Sequence, residues 1–324
     1  MALVNIWYGI DEVPVMGGAV VTVGTFDGVH RGHRRLIGAA VQRARELGLP
    51  CVLVTFRPHP LAVVRPDRVP PMISHLGDRF ALAREVGVDH ILAVSFTKDL
   101  AALSPQEFFD RFLRDGLQAR AILVGENFTY GHKAAGTVDT LREQGAAAGI
   151  EVDIVPLLVD DNQTVSSTLI RNYLAEGNVE HAAWALGRPF SVVGEVIHGQ
   201  GRGGKELGFP TANIDFGEKM ALPADGVYAG WLSIEDEGAI DGDMQAGVRY
   251  PAAISVGTNV QFDAEERTVE AFVLDKDAQL YGRIARLEFV KFIRPMLKFN
   301  GVDELIDAMH EDVQKTRSAC AHLS

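Results

Sequence analysis

Cysteine is nearly absent: Cys51 and Cys320 are the only two among 324 residues. Two cysteines are too few for a disulfide framework and lack zinc-site spacing. Cys51, inside an apolar run, reads as a small buried hydrophobe, and Cys320 as a free thiol. Long apolar runs are missing too, and none reaches the roughly 20 residues of a membrane-spanning helix. The opening residues MALVNIW carry no basic stretch and no long apolar segment, so no signal peptide is expected and the cytosol is the expected compartment. Positive charge is scarce: 31 Lys and Arg stand against 43 Asp and Glu, a net charge of −12. That excludes a general nucleic-acid binder or a surface held to anionic lipid. It does not exclude phosphate ligands, because backbone N–H groups bind them without net positive charge. No repeat of solenoid period and no low-complexity tract occurs. The expected partners are small molecules, with self-association left open.

What is present is enough apolar sequence, 47%, to build two cores, and the length favours two domains. The first half alternates strand-like and helical stretches. Apolar runs at Ala19–Gly24, Cys51–Phe56, His90–Val94, Ala119–Val124 and Val152–Pro156 alternate with helical patterns at Arg31–Leu47, Phe80–Val86, Pro105–Arg114 and Val138–Ala148. Fully apolar strands alternating with helices predict a doubly wound parallel sheet, with ligands at the carboxyl ends of its strands. After about Gly187 the pattern changes. Strand-like runs at Ser191–His198, Gly226–Ile234, Val248–Val256, Thr268–Leu274 and Ile284–Phe292 follow one another without long helices, and an amphipathic helix spans about Val302 to Arg317. This predicts an antiparallel barrel with a terminal helix. The expected fold class is therefore α/β plus β, with domains 1–186 and 187–324.

The sequence GTFDGVHRGH, residues 24–33, joins the first strand to the first helix. Gly24 and Gly28 let backbone approach a ligand, and His30 and His33 fall on one face of a first helical turn. Imidazolium groups at such a turn stabilise negative charge building on a phosphate. Read alone, the stretch also fits a glycine turn with surface histidines. Likewise Ser166, Ser167 and Thr168 offer hydroxyls and free amides at a helix N-terminus, with Arg171 one turn on; a simple N-cap fits them equally. Asn127 suits a phosphate or ribose, and Phe128 a flat ring or a core. His59, between two prolines, sits in an extended loop.

Residues 24–33 look like the HxGH signature of the nucleotidyltransferase superfamily. As a whole they resemble the prokaryotic bifunctional riboflavin kinase/FAD synthetase (FMN adenylyltransferase) family. Residues 55–60 (TFRPHP), 125–131 (GENFTYG) and 165–171 (VSSTLIR) fit that family in order. The resemblance implies that His30 and His33 are catalytic, and that Gly24, Phe26, Asp27, Gly28, His59, Asn127, Ser166, Ser167, Thr168 and Arg171 bind nucleotide or phosphate. It implies a flavin contact for Phe128. One departure stands out: Thr164 occupies the place of a basic residue two positions before Ser-Ser-Thr.

Residues 198–213 (HGQGRGGKELGFPTAN) carry five glycines. Such a loop can wrap a polyphosphate with its amides, though a flexible hairpin fits too. It is not a Walker A loop, because Glu206 follows Lys205. It resembles the glycine loop and PTAN motif of riboflavin kinases. The resemblance makes Gly201, Gly203, Gly204 and Lys205 nucleotide-binding, and Thr211 and Asn213 the ligands of the nucleotide's Mg²⁺, which accepts hard oxygens. Glu270, inside the strand-like 267–275, has on alternation alone even odds of facing outward. The resemblance makes it the general base, and it gives Arg294 a flavin or nucleotide contact. A second departure is Val260-Gln261, where the family reads close to Pro-Thr.

The resemblance implies two reactions on one chain. ATP phosphorylates riboflavin to FMN in the second domain, and ATP adenylylates FMN to FAD in the first, releasing pyrophosphate. Two rivals remain at this point. One is a nucleotidyltransferase for another phosphate ester with a purely binding second domain, and the other is a flavin-sensing protein without turnover.

Overall fold

The computed structural model describes residues 5–198, 211–217, 219–261 and 264–321. By packing, the chain divides into two compact units, residues 1–70 with 76–166 and residues 71–75 with 167–324.

The first unit is built on six parallel strands: β1 (Asn5–Trp7), β2 (Ala19–Val23), β3 (Cys51–Arg57), β4 (His90–Ser95), β5 (Ala119–Gly125) and β6 (Glu151–Val155). Their order is β1-β4-β3-β2-β5-β6. Alternation along the strands sorts side chains to two faces. Val20, Leu53, Ile91, Ala93 and Leu123 pack with Leu36, Ile37, Ala40, Ala44 and Phe80. Val21, Val54, Leu92, Val94 and Ile122 pack instead with Phe108, Phe109, Phe112 and Leu113. The sheet is therefore covered on both faces, and every strand run expected in the first half forms. The chain moves outward from β2 through β3 to β4, then crosses to β5 and β6. The order reverses between β2 and β5, which is where such sheets open a crevice at the strands' carboxyl ends. β1 and the two-stranded hairpin β7 (Val159–Asp160) and β8 (Gln163–Thr164) were not expected. Residues Pro105–Arg114 do not form one α-helix: a short helix Pro105–Phe108 runs into a π-helix Phe109–Gly116.

The second unit is a closed barrel of β9 (Phe190–Ile197), β10 (Ala212–Asp215), β11 (Gly226–Ile234), β12 (Tyr250–Gln261), β13 (Ala264–Val273) and β14 (Ile284–Arg294), in the order β10-β13-β12-β11-β14-β9. Every residue of β11 is buried, because one face lines the barrel and the helix Val302–Ala321 covers the other. Arg294 and Asp312 tie that helix to β14, with Nη2 to Oδ2 at 2.6 Å. The Cys320 thiol donates to the Gly230 carbonyl at 3.2 Å. Both cysteines are unpaired and buried. Burial pushes the Cys51 thiol up to about 12 and the Cys320 thiol up to about 11. Helices Ser167–Ala175 and Val179–Leu186 pack within this unit, as do residues 71–75, where His75 Nε2 meets the Val193 carbonyl at 2.8 Å.

Candidate active sites

The first site starts where β2 ends. Phe26, Gly28 and Val29 all have positive φ, of 50°, 81° and 38°. Side chains disfavour that region, so residues 24–29 need support from their surroundings. Phe26 folds inward and is 1% exposed. A Cβ on Gly24 would stand 3.1 Å from its ring, a tight contact that glycine avoids. Phe26 thus meets the site from below, edge-on to His33 at 5.3 Å. Two donors hold the Thr25 carbonyl: Thr55 Oγ1 at 3.1 Å and Arg79 Nη1 at 2.9 Å. The same guanidinium lies 3.7 Å from the Asp27 carboxylate, and both side chains are buried.

His30 is the N-cap of the helix Arg31–Leu47. Its Nδ1 accepts from the His33 backbone N–H at 3.3 Å, which leaves Nε2 as the ring's donor. The two imidazoles stack at 3.6 Å and 20°. Gly32 makes room for this: a Cβ there would lie 3.1 Å from the His30 ring. The expected pairing of the histidines on one turn is present. Burial, then His30, then Arg79 hold His33 well below the usual histidine range. The His33 Nδ1 is buried without a hydrogen-bond partner.

The other residues expected at this site lie as follows. His59 caps the short helix Pro60–Val64, its Nδ1 accepting from Leu61 N at 3.2 Å. Asn127 is exposed just past β5, and Phe128 stacks on Tyr130 at 5.5 Å while packing on the core. Ser166 ends the first unit. Ser167, Thr168 and Arg171 lie on the helix Ser167–Ala175 of the second, where Arg171 Nε donates to the Pro71 carbonyl at 2.8 Å. Thr164 is exposed on β8. In the same hairpin, Asp160 pairs with Arg31 at 2.7 Å.

Arg79 was missed by sequence reasoning. An arginine in a helical stretch reads as solvated surface. The available signal was its neighbours: Phe80 and Ala83, beside it on the helix Leu76–Val86, are both buried.

The second site lies on the barrel. Val269 and Ala271 point into the core, so Glu270 takes the opposite face. There it stands across from Asn213 on β10 and from Ser255 on β12. Thr211 Oγ1 donates to Glu270 Oε2 at 3.0 Å. Thr211, Asn213 and Glu270 thus meet although more than fifty residues separate them in the chain. Gly201, Gly203, Gly204 and Lys205 lie outside the described residues. His198, at the near end of that stretch, stacks on Tyr281 at 3.7 Å. Arg294 gives Nε and Nη2 to Asp312 and Nη1 to the Pro295 carbonyl, and lies 5.7 Å from the Phe299 ring centre.

A metal at this site would find three oxygen-bearing side chains, only one of them ionic. No cluster of three or more His, Cys, Asp or Glu suited to a metal occurs among the described residues. A set of one hydroxyl, one amide and one carboxylate fits Mg²⁺ that arrives already bound to nucleotide phosphates.

Two family models match the chain in order: FAD synthetase over residues 13–169 and riboflavin kinase over residues 186–320. Among curated relatives, the bifunctional riboflavin kinase/FMN adenylyltransferase of Listeria monocytogenes is 36% identical over 94% of this chain and 93% of its own. That of Pseudomonas fluorescens is 36% identical over 95% of each, and that of Escherichia coli K12 is 32% identical over 94% and 93%. A crystal structure described as a macrolide-efflux protein from Streptococcus pneumoniae shares the fold, with a TM-score of 0.83 and 31% identity over 97% of this chain and 98% of that one. No helix among the described residues here is long and apolar enough to cross a membrane. The alignments run through both units, and the two models fall on the parallel sheet and the barrel respectively: the chain belongs to the bifunctional riboflavin kinase/FMN adenylyltransferase family.

Proposed function

We propose that the residues of this chain divide the two reactions of its family as follows. The barrel phosphorylates riboflavin. Glu270 takes the proton of the riboflavin 5′-hydroxyl as its oxygen attacks the γ-phosphorus of ATP, and ADP leaves. The geometric requirement for base catalysis is a carboxylate within hydrogen-bond reach of that hydroxyl. Thr211 and Asn213 would hold the phosphates together with their Mg²⁺, which would supply charge neutralisation to the transferring group. The glycine loop at 201–204 and Lys205 complete the nucleotide site. The observation that carries this assignment is the meeting of Thr211, Asn213 and Glu270, with the 3.0 Å bond from Thr211 to Glu270.

The parallel-sheet domain adenylylates FMN. A phosphate oxygen of FMN attacks the α-phosphorus of ATP, and pyrophosphate leaves. No covalent enzyme intermediate is required, so positioning and charge stabilisation do the work. His30 and His33 donate hydrogen bonds to the α-phosphate. Residues 24–28, His59 and Asn127 hold the rest of the nucleotide. The family resemblance assigns Ser166, Ser167, Thr168 and Arg171 to nucleotide binding as well, and Phe128 to the flavin. With residues 1–186 at a net −4 and 187–324 at −8, small phosphates are held locally, against the sign of the protein. Two buried, unpaired cysteines suit a reducing cytosol.

The test is incubation with riboflavin, ATP and Mg²⁺, with FMN and FAD separated over time. FMN should appear first and FAD after it; formation of neither would sink the assignment. Glu270→Ala should cut FMN formation by about a hundredfold or more while FMN supplied from outside still becomes FAD. Equal loss of both reactions would contradict the division.

A further inference from the structure

We infer that Arg79 is a positioning residue for adenylyl transfer, a clamp that holds the turn 24–33 in the one arrangement that presents His30 and His33 together. The inference rests on the adenylyltransferase reading of that turn.

The turn cannot hold itself. Phe26 and Val29 have positive φ, and the strain must be met from outside. The carbonyl between Gly24 and Phe26 is where it is met: Thr25 O takes Arg79 Nη1 at 2.9 Å and Thr55 Oγ1 at 3.1 Å. The second fixed point is Asp27, whose carboxylate stands 3.7 Å from Arg79 Nη2. Arg79 is 3% exposed and Asp27 1%, so the two opposite charges face each other in a buried setting. One guanidinium, reaching over from the helix Leu76–Val86, thus pins the residues on both sides of Phe26. Phe26 in turn supports the His33 ring edge-on. A planar, forked cation can serve a carbonyl and a carboxylate at once, which a single apolar residue cannot.

The clamp also adds to the electrostatics of His33, after burial and His30. The groups acting on His33 are His30, stacked on it from the turn, and Arg79 from the helix packed against it, with Asp27 paired to Arg79. Arg79 and His30 both favour neutral His33. That keeps two stacked imidazoles from repelling each other before phosphate arrives.

The experiment follows the Cε1–H signals of ¹³C-labelled histidine in the full chain, with His33 assigned by its absence in His33→Gln. It also measures both reactions in Arg79→Met and Arg79→Lys. In Arg79→Met, removing the cation should move the His33 titration measurably up. FMN adenylylation should fall more than about tenfold in kcat with KM for ATP little changed. Riboflavin phosphorylation should stay within about twofold, because its residues lie on the barrel. Arg79→Lys keeps the charge but not the fork, so it should restore the titration and only part of the rate. Full adenylylation in Arg79→Met overturns the proposal. So does a His33 titration that does not move, or an Arg79→Lys protein as impaired as Arg79→Met. Should Arg79→Met fail to fold, Arg79→Gln takes its place; if both unfold and Arg79→Lys is no better, the role is structural and the proposal is wrong. The His33 titration reads the clamp even if the wild-type protein makes no FAD, so the two failures are distinguishable.

Discussion

At the scale of single residues, the chemistry depends on groups whose state is set by neighbours distant in sequence. His33 shows this best. Its position beside His30 is legible from spacing, since residues three apart share a helical face. Its protonation is not, because it follows from burial and from Arg79, 46 positions along the chain. The consequence for pH has a definite sign. The folded state holds His33 below its unfolded value near 6.5, so it disfavours the protonated form. The stability tied to neutral His33 is intact above about pH 6.5 and is lost as pH falls below it through the folded value. Urea midpoints measured at pH 7.5 and 5.5 should therefore drop more for the wild type than for His33→Gln. A variant drop as large as the wild type's would show that His33 does not titrate in this window. Glu270 makes the same point in the barrel. Its type and strand were legible, but its partners were not, because register between β10 and β13 brings Thr211 and Asn213 to it.

At the scale of elements, apolar periodicity was the most legible signal. The helix Arg31–Leu47 follows its stripe of Leu36, Ile37, Ala40 and Ala44, and ends where Gly48 takes φ 66°. All five expected strand runs of the first half are present because fully apolar runs bounded by turns have few other places to go. The short elements escaped notice: β1 has 3 residues and β10 has 4, too few to show a period. Yet β10 carries Asn213, directly follows Thr211, and closes the barrel, so its placement governs the proposed kinase site. Gly194 on β9 is what allows that placement. A Cβ there would lie 2.2 Å from the Asp215 carbonyl and 2.7 Å from Ile214 Cγ2. Gly194→Ala must push β10 away, at a cost of about 2 kcal/mol in stability. Riboflavin phosphorylation should fall about tenfold or more while FMN adenylylation persists, since a misplacement of about 1 Å is enough to spoil positioning. Unchanged kinase activity would mean β10 yields without moving Thr211 and Asn213. The terminal helix depends on a different device, the Arg294–Asp312 pair, with side chains 15% and 6% exposed. Asp312→Ala leaves a largely buried guanidinium without its carboxylate and should cost about 3 kcal/mol in denaturant unfolding. A loss under about 0.5 kcal/mol would mean that water reaches Arg294 freely.

At the scale of the whole molecule, length and the change of pattern near residue 187 announced two architectures, and the parallel sheet and closed barrel match that expectation. The exact partition is subtler than a single cut. Residues 71–75 leave the first unit to pack with the second, and the helices between 167 and 186 pack there as well. No composition shift marks either feature, because both are matters of where apolar side chains find partners. Neither changes which residues are assigned to each reaction, and those two sets share no member. FMN is the product of one reaction and the substrate of the other, and no covalent intermediate links them. The division can therefore be tested by complementation. A Glu270→Ala chain should make FAD only from supplied FMN, and a His30→Ala/His33→Ala chain should make FMN only from riboflavin. Mixed together with riboflavin, ATP and Mg²⁺, the two should form FAD after a lag that shortens as enzyme concentration rises, because FMN must leave one chain and find another. If each variant keeps its own half-reaction and the mixture still makes no FAD, FMN does not exchange between chains. The two reactions would then have to be read as one coupled process on a single chain.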